Sequence, residues 1–262
     1  MARRPRRLGM FDSGLGGLTV LNAVRSSIDA TDVVYFADTA HVPYGDRTLE
    51  EVSGFARRII AHLMEREPAM IAIACGTTCS AFDKLGWPDI GVPLLGLVGP
   101  GARSAVEASR SGAIGVVATN ATAKSGVFDR GIRSMRADAV VTSIGAPALV
   151  PIVERGDWAT EEARAAVAAC CESFLRAKCD TVVLGCTHFP HLTKWFREAL
   201  GPGVRIVDPG EAVGRDAAQI LSEFEPQRGS IDFEVSGDPT AFATSASLLM
   251  GAPVATAHHV GL

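Results

Sequence analysis

The chain has 262 residues, of which 47% are hydrophobic and 21% charged, and its mean hydropathy is +0.21. Such a composition excludes an intrinsically disordered protein, and the length predicts one large α/β domain or two modest lobes. No apolar run approaches the ~18 residues that a membrane span needs, and no signal-peptide pattern follows the N-terminus. We therefore expect a soluble, cytoplasmic protein.

The formal net charge of −4 is unevenly distributed. Four arginines, Arg3, Arg4, Arg6 and Arg7, stand at the start, so the rest of the chain is more acidic than the total suggests. An acidic body without a basic stripe argues against nucleic acid as a partner. We predict that the arginine-rich start is a solvated segment.

Apolar, β-prone runs alternate with helical stretches along the chain. Because these runs are continuous rather than alternating, they predict parallel strands covered on both faces. The predicted strands are Leu8–Phe11, Val33–Phe36, Met70–Ala74, Pro93–Leu97, Ala113–Ala118, Ala139–Ile144, Thr181–Leu184 and Val204–Val207.

One helix is predicted with particular clarity over residues 160–175. Thr160 is a candidate N-cap, and two glutamates follow it in the first turn. The predicted apolar face consists of Ala163, Ala166, Val167, Cys170, Phe174 and Leu175.

A weak internal repeat indicates two related lobes. Residues 8–14 resemble residues 114–120, and residues 71–77 resemble residues 182–187, in the same order. Glycines and a proline cluster near residues 96–101, which favours a boundary there. After Val207 too few strands remain for a third lobe. We therefore predict an α/β fold with two pseudo-symmetric lobes, each a mainly parallel sheet flanked by helices: residues 1–97 plus 208–262, and residues 98–207.

Small polar clusters follow four of the predicted strands, at residues 12–14, 75–78, 119–122 and 186–188. The carboxyl ends of parallel strands are where such sheets bind ligands. Backbone N–H groups at the following helix starts can hold an anion. These clusters predict a site for a small molecule bearing a carboxylate.

Cys75 and Cys186 end strands at equivalent positions of the two lobes. Two thiols in that arrangement would face each other across one cleft, and a helix N-terminus lowers the pKa of a thiol. One thiolate could remove a proton from a carbon acid while the opposing thiol protonates the other face. The competing interpretation of each thiol is a small buried hydrophobe.

The remaining four cysteines are interpreted as packing residues. A long chain without a signal peptide predicts free thiols, and no second ligand pair with zinc-site spacing accompanies Cys75 and Cys79. We expect no metal. Since no lysine ends a strand in a polar cluster, we expect no pyridoxal cofactor either. The four packing cysteines are Cys79, Cys170, Cys171 and Cys179.

Three further features carry two interpretations each. Asp12 precedes a glycine-rich stretch that lacks dinucleotide-fingerprint spacing, so it could bind an ammonium group, orient a thiol, or cap a helix. The Tyr44 hydroxyl and its backbone could reach a ligand or form a plain turn. His188 and Glu154 could tune a thiol or serve as surface and capping residues.

Four ordered segments, residues 11–20, 38–45, 73–80 and 184–192, together resemble glutamate racemase, of the cofactor-independent aspartate/glutamate racemase superfamily. The resemblance implies two lobes that enclose the substrate, and interconversion of L- and D-glutamate without a cofactor. It also implies supply of D-glutamate for peptidoglycan, and a homodimer.

Position by position, the resemblance implies that Cys75 and Cys186 are the acid/base pair. Asp12 and His188 would assist proton handling on the two sides, and Glu154 matches the acidic residue near the second thiol. The implied substrate-binding residues are Asp12, Ser13, Tyr44, Gly45, Gly76, Thr77, Thr119, Thr122, Thr187 and His188.

Two departures from the family pattern leave the substrate open. Gly76 stands where the family usually has Asn, and Phe189 replaces Tyr. A reshaped pocket could serve a racemase for another acid such as aspartate, or a decarboxylase, although related decarboxylases keep only one of the two cysteines. A non-catalytic binding protein, for instance one that inhibits DNA gyrase, is a further hypothesis. So is a Cys–His hydrolase, which would leave the second cysteine unexplained.

Overall fold

A computed structural model describes residues 4–262 and contains ten strands in two sheets. The eight strands predicted from the sequence are all present. The strands are β1 (Arg7–Asp12), β2 (Asp32–Ala37), β3 (Met70–Ile73), β4 (Leu94–Gly96), β5 (Ala113–Ala118), β6 (Val140–Gly145), β7 (Thr181–Leu184), β8 (Arg205–Val207), β9 (Ile231–Val235) and β10 (His258–His259).

Helices connect the strands and cover both sheets. Between residues 4 and 262, no helix combines the length and the hydropathy needed to cross a bilayer. The helices are α1 (Leu18–Ser27), α2 (Leu49–Met64), α3 (Gly76–Leu85), α4 (Val98–Ala108), α5 (Asn120–Ser125), α6 (Val127–Met135), α7 (Leu149–Glu154), α8 (Glu161–Arg176), α9 (Thr193–Leu200), α10 (Pro209–Leu221) and α11 (Pro239–Met250).

Every strand pair in the two sheets is parallel, as the continuous apolar runs predict. The first sheet has the order β10-β9-β2-β1-β3-β4 and the second β6-β5-β7-β8. The segment β2-β1-β3-β4 therefore repeats the topology of β6-β5-β7-β8. The predicted pseudo-symmetry of the two lobes is confirmed. In this symmetry β1 corresponds to β5, and β3 corresponds to β7.

After β8 the chain returns to the first sheet, where β9 pairs with β2 and β10 pairs with β9. The lobe boundaries at residues 97 and 207 stay a prediction. At each of these points the chain passes from one sheet to the other, between β4 and β5 and between β8 and β9. Sequence analysis did not predict β9, because Asp232 and Glu234 interrupt its apolar pattern. Glu234 is nevertheless only 1% exposed, since its carboxylate is hydrogen-bonded to His62 Nε2 at 2.6 Å and forms an ion pair with the Arg66 guanidinium.

Helix α8 forms where the sequence predicts it, and the Thr160 hydroxyl accepts a hydrogen bond from the Ala163 N–H. The predicted apolar face is wrong in part. Cys171 rather than Cys170 is buried, and Leu175 is exposed. The buried positions Ala163, Val167, Cys171 and Phe174 are spaced by four, four and three residues, so the buried face is narrower than the predicted one and differs from it only by including Cys171.

The prediction of a solvated arginine-rich start is wrong for two of the arginines. Arg7 opens β1, and the Arg6 guanidinium donates to the carbonyls of Leu221 and Asp29, both at 3.0 Å. The side chain of Arg6 thus links the start of the chain to the end of α10. Arg4 is exposed, and Arg3 lies outside the described residues.

We predict that Glu234→Gln lowers the free energy of unfolding by about 2 kcal/mol or more, because two charge-assisted hydrogen bonds of a buried carboxylate are lost. Asp232→Asn, on the same strand, is the matched control. Its contact with His258 is a 3.8 Å pair between more exposed side chains, so it should cost less than about 0.5 kcal/mol. Urea denaturation of the three proteins measures both values. Equal losses in the two variants would contradict this account of β9.

Candidate active site

The carboxyl ends of β1, β3, β5 and β7 meet at a cleft between the two sheets. Because all four strands are parallel and central in their sheets, the residues that follow them converge there. The cleft is lined by Ser13, Pro43, Tyr44, Gly45, Asp46, Cys75, Gly76, Thr77, Thr119, Asn120, Pro147, Val150, Pro151, Gly185, Cys186, Thr187 and His188.

The structure brings ten of the predicted site residues to the cleft wall. Asp12, Thr122 and Glu154 do not line it. Each lies directly behind the wall and hydrogen-bonds a residue that does: Asp12 bonds Thr187, Thr122 bonds Thr119, and Glu154 bonds His188.

Cys75 is the residue immediately before α3 and is 5% exposed. The sequence predicts a lowered pKa for a thiol at a helix N-terminus, and this prediction is wrong for Cys75. Burial, followed by the negative charge of Asp12, raises the pKa of Cys75 well above its ordinary value. Bonds from Thr78 act in the opposite direction but are outweighed. Cys75 is therefore held as a neutral thiol.

Asp12 is fully buried at the end of β1. Its Oδ2 accepts from the Gly17 N–H at 2.7 Å, just before α1, and from the Thr187 hydroxyl at 3.3 Å. The interpretation of Asp12 as the N-cap of α1 is wrong, since Gly17 holds that position; Asp12 instead accepts from the Gly17 N–H and lies beside the site. Burial raises the pKa of Asp12 to about 6, although the charge of His188 opposes the rise. Oδ1 has no hydrogen-bond partner among the described residues.

Cys186 begins a chain of contacts that leads away from the cleft. Its Sγ lies 3.7 Å from His188 Nδ1, and His188 Nε2 lies 2.5 Å from Glu154 Oε1. Burial alone would lower the pKa of His188, but the bonds to Cys186 and Glu154 raise it well above its ordinary value. Burial opposes ionisation of Glu154, yet the bond and charge of His188 leave its pKa lowered. A cationic imidazole therefore lies between a carboxylate and the Cys186 sulfur.

The glycines after Asp12 make room for this chain. A Cβ on Gly14 would lie 2.6 Å from Glu154 Oε1, and one on Gly16 would lie 2.5 Å from the Thr187 hydroxyl. The Leu15 N–H donates to the same Glu154 oxygen at 3.2 Å. The glycine-rich stretch lacks the spacing of a dinucleotide fingerprint. Its glycines instead allow side chains of the second lobe to pack against the backbone of the first lobe.

Three threonine hydroxyls form a cluster at the cleft. Thr77 Oγ1 of α3 and Thr122 Oγ1 of α5 each lie 3.0 Å from Thr119 Oγ1. Thr119 also caps α5, because its hydroxyl accepts from the Thr122 N–H. The cluster supplies hydroxyl donors at the cleft wall, as the carboxylate-site prediction requires.

Tyr44 and Gly45 form the part of the wall beside this cluster. The Tyr44 hydroxyl donates to Asp38 Oδ2, so this group bonds the protein rather than facing the cleft. A Cβ on Gly45 would lie 3.0 Å from Thr119 Cβ, so the Gly45 backbone packs closely against the Thr119 side chain. The Tyr44 hydroxyl therefore has a structural hydrogen bond within the turn, as the turn interpretation expects.

The prediction of site residues missed several members of the wall. Asn120 lies within a predicted polar cluster, which is the signal that could have selected it. Asp46 follows no predicted strand, and Pro147 follows the predicted strand Ala139–Ile144 but lies in no polar cluster, so neither gave a signal. The missed residues are Pro43, Asp46, Asn120, Pro147, Val150, Pro151 and Gly185.

Gly76 touches the second lobe through its backbone. A Cβ at this position would lie 2.6 Å from the Gly185 carbonyl oxygen. Gly185 is itself fixed, since its N–H donates to the Val117 carbonyl at 2.7 Å. A side chain at residue 76 therefore requires the Gly185 carbonyl, or the lobe that carries it, to shift.

All six cysteines are free thiols. Cys79 is buried and its Sγ accepts from the Leu97 N–H, while burial raises its pKa to about 11. Within the described part of the chain, no group of three or more His, Cys, Asp or Glu side chains is arranged to hold a metal ion.

Known proteins are similar to this chain in both sequence and fold. A family model described as Asp/Glu/Hydantoin racemase matches residues 18–217. A glutamate racemase of Symbiobacterium thermophilum is 41% identical over 98% of this chain and 95% of its own length. Among solved structures, glutamate racemase isoform RacE1 of Bacillus anthracis has a TM-score of 0.88 at 25% identity, covering 97% of this chain and 96% of its own. The Thermus thermophilus glutamate racemase in complex with β-chloro-D-alanine has a TM-score of 0.84 at 33% identity, covering 99% and 98%.

We predict a pH-dependent stability contribution from Asp12. Because its pKa rises from 3.8 to about 6 on folding, its contribution is fully present below about pH 4 and is lost as the pH rises through 6. A rise of this size corresponds to roughly 3 kcal/mol. The free energy of unfolding of the wild type, minus that of Asp12→Asn, should therefore fall by roughly 2–3 kcal/mol between pH 4 and 7.5. A difference that stays constant over this range in denaturant titrations would contradict the buried position of Asp12.

Proposed function

Because the chain belongs to the Asp/Glu/hydantoin racemase family, and is thus an isomerase, we propose that it interconverts L- and D-glutamate. The observation that carries this proposal is that Cys75 and Cys186, which follow corresponding strands of two pseudo-symmetric sheets, line one cleft. Two acid/base groups on opposite sides of a carbon are what inversion by proton transfer needs.

The surroundings of the two thiols favour one resting protonation state. Burial and Asp12 keep Cys75 a thiol, which can donate a proton. We assign the role of proton acceptor to Cys186, whose sulfur lies 3.7 Å from His188 Nδ1, since one group of a two-base racemase must accept a proton and the other must donate one.

In the proposed reaction, the Cys186 thiolate takes the α-proton of one enantiomer. The electron pair of the C–H bond remains on the α-carbon, and the Cys75 thiol then donates its proton to the opposite face. Cys75 is left as the thiolate and Cys186 as the thiol, so the enzyme is ready for the opposite enantiomer. The reverse reaction uses the same groups in the opposite order, and no oxidant or reductant is consumed.

The cleft wall offers binding groups for an amino acid with two carboxylates. The hydroxyls of Thr77 and Thr119, with the backbone N–H groups at the start of α3, suit one carboxylate. Ser13 and Thr187 lie on the cleft wall with the two thiols. Asp12 lies behind Thr187, so we assign it to orienting that residue and to holding Cys75 as a thiol rather than to binding the ammonium group.

The wider role follows from the family rather than from the geometry. We infer a cytoplasmic homodimer that supplies D-glutamate for peptidoglycan, as the resemblance implies. The reaction as proposed uses no cofactor, because both proton transfers are assigned to side chains of the cleft.

We predict that Cys75→Ser and Cys186→Ser each lower kcat for glutamate racemisation by roughly 10³-fold or more, because a serine hydroxyl is a far weaker acid than a thiol. Polarimetry with L-glutamate in D₂O, combined with NMR of the α-position, measures loss of rotation and deuterium incorporation.

Cys170→Ser is the matched control, since Cys170 is half-buried on α8 away from the cleft, and its rate should stay near that of the wild type. If folded wild-type protein changes neither rotation nor α-hydrogen at high glutamate, glutamate is not the substrate. Racemisation of aspartate or another acid would then become the leading proposal, as Gly76 allows.

Restoring the family's usual residue at position 76 provides a second test. We predict that Gly76→Asn lowers kcat by about tenfold or more, because its Cβ would force the Gly185 carbonyl and the second lobe away and misplace the thiols. Gly99→Asn, on α4 where no atom lies within 4 Å of the Cβ position, is the control. Steady-state kinetics in both directions measures the effect. Turnover equal to or above wild type in Gly76→Asn would show that the lobes have room for the side chain.

A further inference from the structure

The cleft wall at Tyr44 and Gly45 is held from behind by a buried carboxylate. Asp38, the residue after β2, is only 2% exposed and is not itself part of the wall. Its Oδ2 accepts from the Tyr44 hydroxyl at 2.5 Å, and its Oδ1 contacts His41 Nδ1 at 2.8 Å. The orientation of the Asp38 carboxylate therefore determines where the Tyr44 ring lies.

A residue from the C-terminal part of the chain completes the hydrogen bonding of this carboxylate. The Ser236 hydroxyl, one residue beyond β9, donates to Asp38 Oδ1 at 2.6 Å and accepts from the Ala40 N–H at 3.0 Å. The Gly237 N–H donates to the Thr39 hydroxyl at 3.1 Å. The end of β9 is thus bonded to the turn that leads from β2 to the cleft wall.

A displaced wall should affect substrate binding more than proton transfer. Gly45 packs against Thr119, whose hydroxyl we assign to a substrate carboxylate. Cys75 and Cys186 follow β3 and β7, which are separate from the Tyr44 turn, so a shift of that turn would leave the thiols in place. Substrate and transition state would then be bound less tightly by the same amount, which raises KM without lowering kcat.

We propose that Ser236 is a positioning residue for substrate binding: its hydroxyl holds the Asp38 carboxylate in the orientation that fixes the Tyr44 phenol. This inference rests on the proposed racemase function. Ser236 does not line the cleft and acts only through Asp38. The C-terminal strand β9, which has no counterpart in the second sheet, thereby sets the position of the substrate-binding wall.

The same two strands carry a second serine–aspartate hydrogen bond, which provides a matched control. The Ser230 hydroxyl donates to Asp32 Oδ1 at 2.9 Å. This pair also joins β2 to β9, but it lies at the amino ends of the two strands, whereas the cleft lies at their carboxyl ends. Ser230→Ala therefore removes a bond of the same kind from the same strand pair without altering the wall.

The test is steady-state kinetics with L-glutamate and with D-glutamate, accompanied by thermal unfolding of each variant. We expect Ser236→Ala to raise KM for both enantiomers by about fivefold or more, while kcat stays within about twofold of wild type. Ser236→Thr retains the hydroxyl and should keep most of the wild-type affinity. Ser230→Ala should leave kcat and KM unchanged, even where it lowers the unfolding temperature.

A double variant tests whether Ser236 acts along the proposed path. Tyr44→Phe removes the other hydroxyl that donates to Asp38, so it should also raise KM. Once that hydroxyl is gone, Ser236→Ala should raise KM little further, because both substitutions break the same chain of contacts. Should Ser236→Ala fail to fold, Tyr44→Phe still tests the link from Asp38 to the wall, and an unchanged KM in that variant would contradict the proposal.

The outcomes distinguish failure of this inference from failure of the proposed function. In an active wild type, three results would overturn the inference and leave the racemase function standing: an unchanged KM in folded Ser236→Ala, an equal rise of KM in Ser230→Ala, or effects of Ser236→Ala and Tyr44→Phe that multiply. Absence of any racemisation by folded wild-type protein would overturn the proposed function, and this inference with it.

Discussion

The arrangement of the cleft depends on one carboxylate oxygen shared by both lobes. Glu154 Oε1 accepts from the Leu15 N–H on one side and contacts His188 Nε2 on the other. A partly buried carboxylate is costly unless both partners are in place, so this oxygen ties the position of the first lobe's glycine loop to the imidazole beside Cys186. Gly14 has no side chain because Glu154 occupies the space that a Cβ would take.

The two halves share their backbone topology but differ in charge. The strand order around β1 and β3 matches that around β5 and β7, which brings the thiols to equivalent places. Their neighbours are opposite in sign: a buried carboxylate, Asp12, lies near Cys75, and a cationic imidazole, His188, contacts Cys186. This difference in the charge beside the two sulfurs supports the proposed reaction, in which one thiol group donates a proton and the other accepts one.

Much of the fold could be predicted because its signals are local. Continuous apolar runs identify buried parallel strands, and polar residues after β1, β3, β5 and β7 mark the edge where ligands bind. The strand β9 could not be predicted in this way. Its charged residue Glu234 is buried because His62 and Arg66, which are distant in the chain, hydrogen-bond its carboxylate. The missed wall residues before and within α7 likewise reach the cleft only through the packing of the second lobe.

The sequence by itself determined the α/β class, the repeated lobes, the pair Cys75 and Cys186, and the family resemblance. Each of these follows from hydrophobic periodicity or from short ordered motifs, which are local features of the sequence. Tertiary structure decided the electrostatics. A helix N-terminus predicts a low pKa for Cys75, but the enclosing lobes and Asp12 raise it. It also decided that Gly76 faces the Gly185 carbonyl. Burial and contacts between lobes depend on residues far apart in the chain, and no local pattern encodes them.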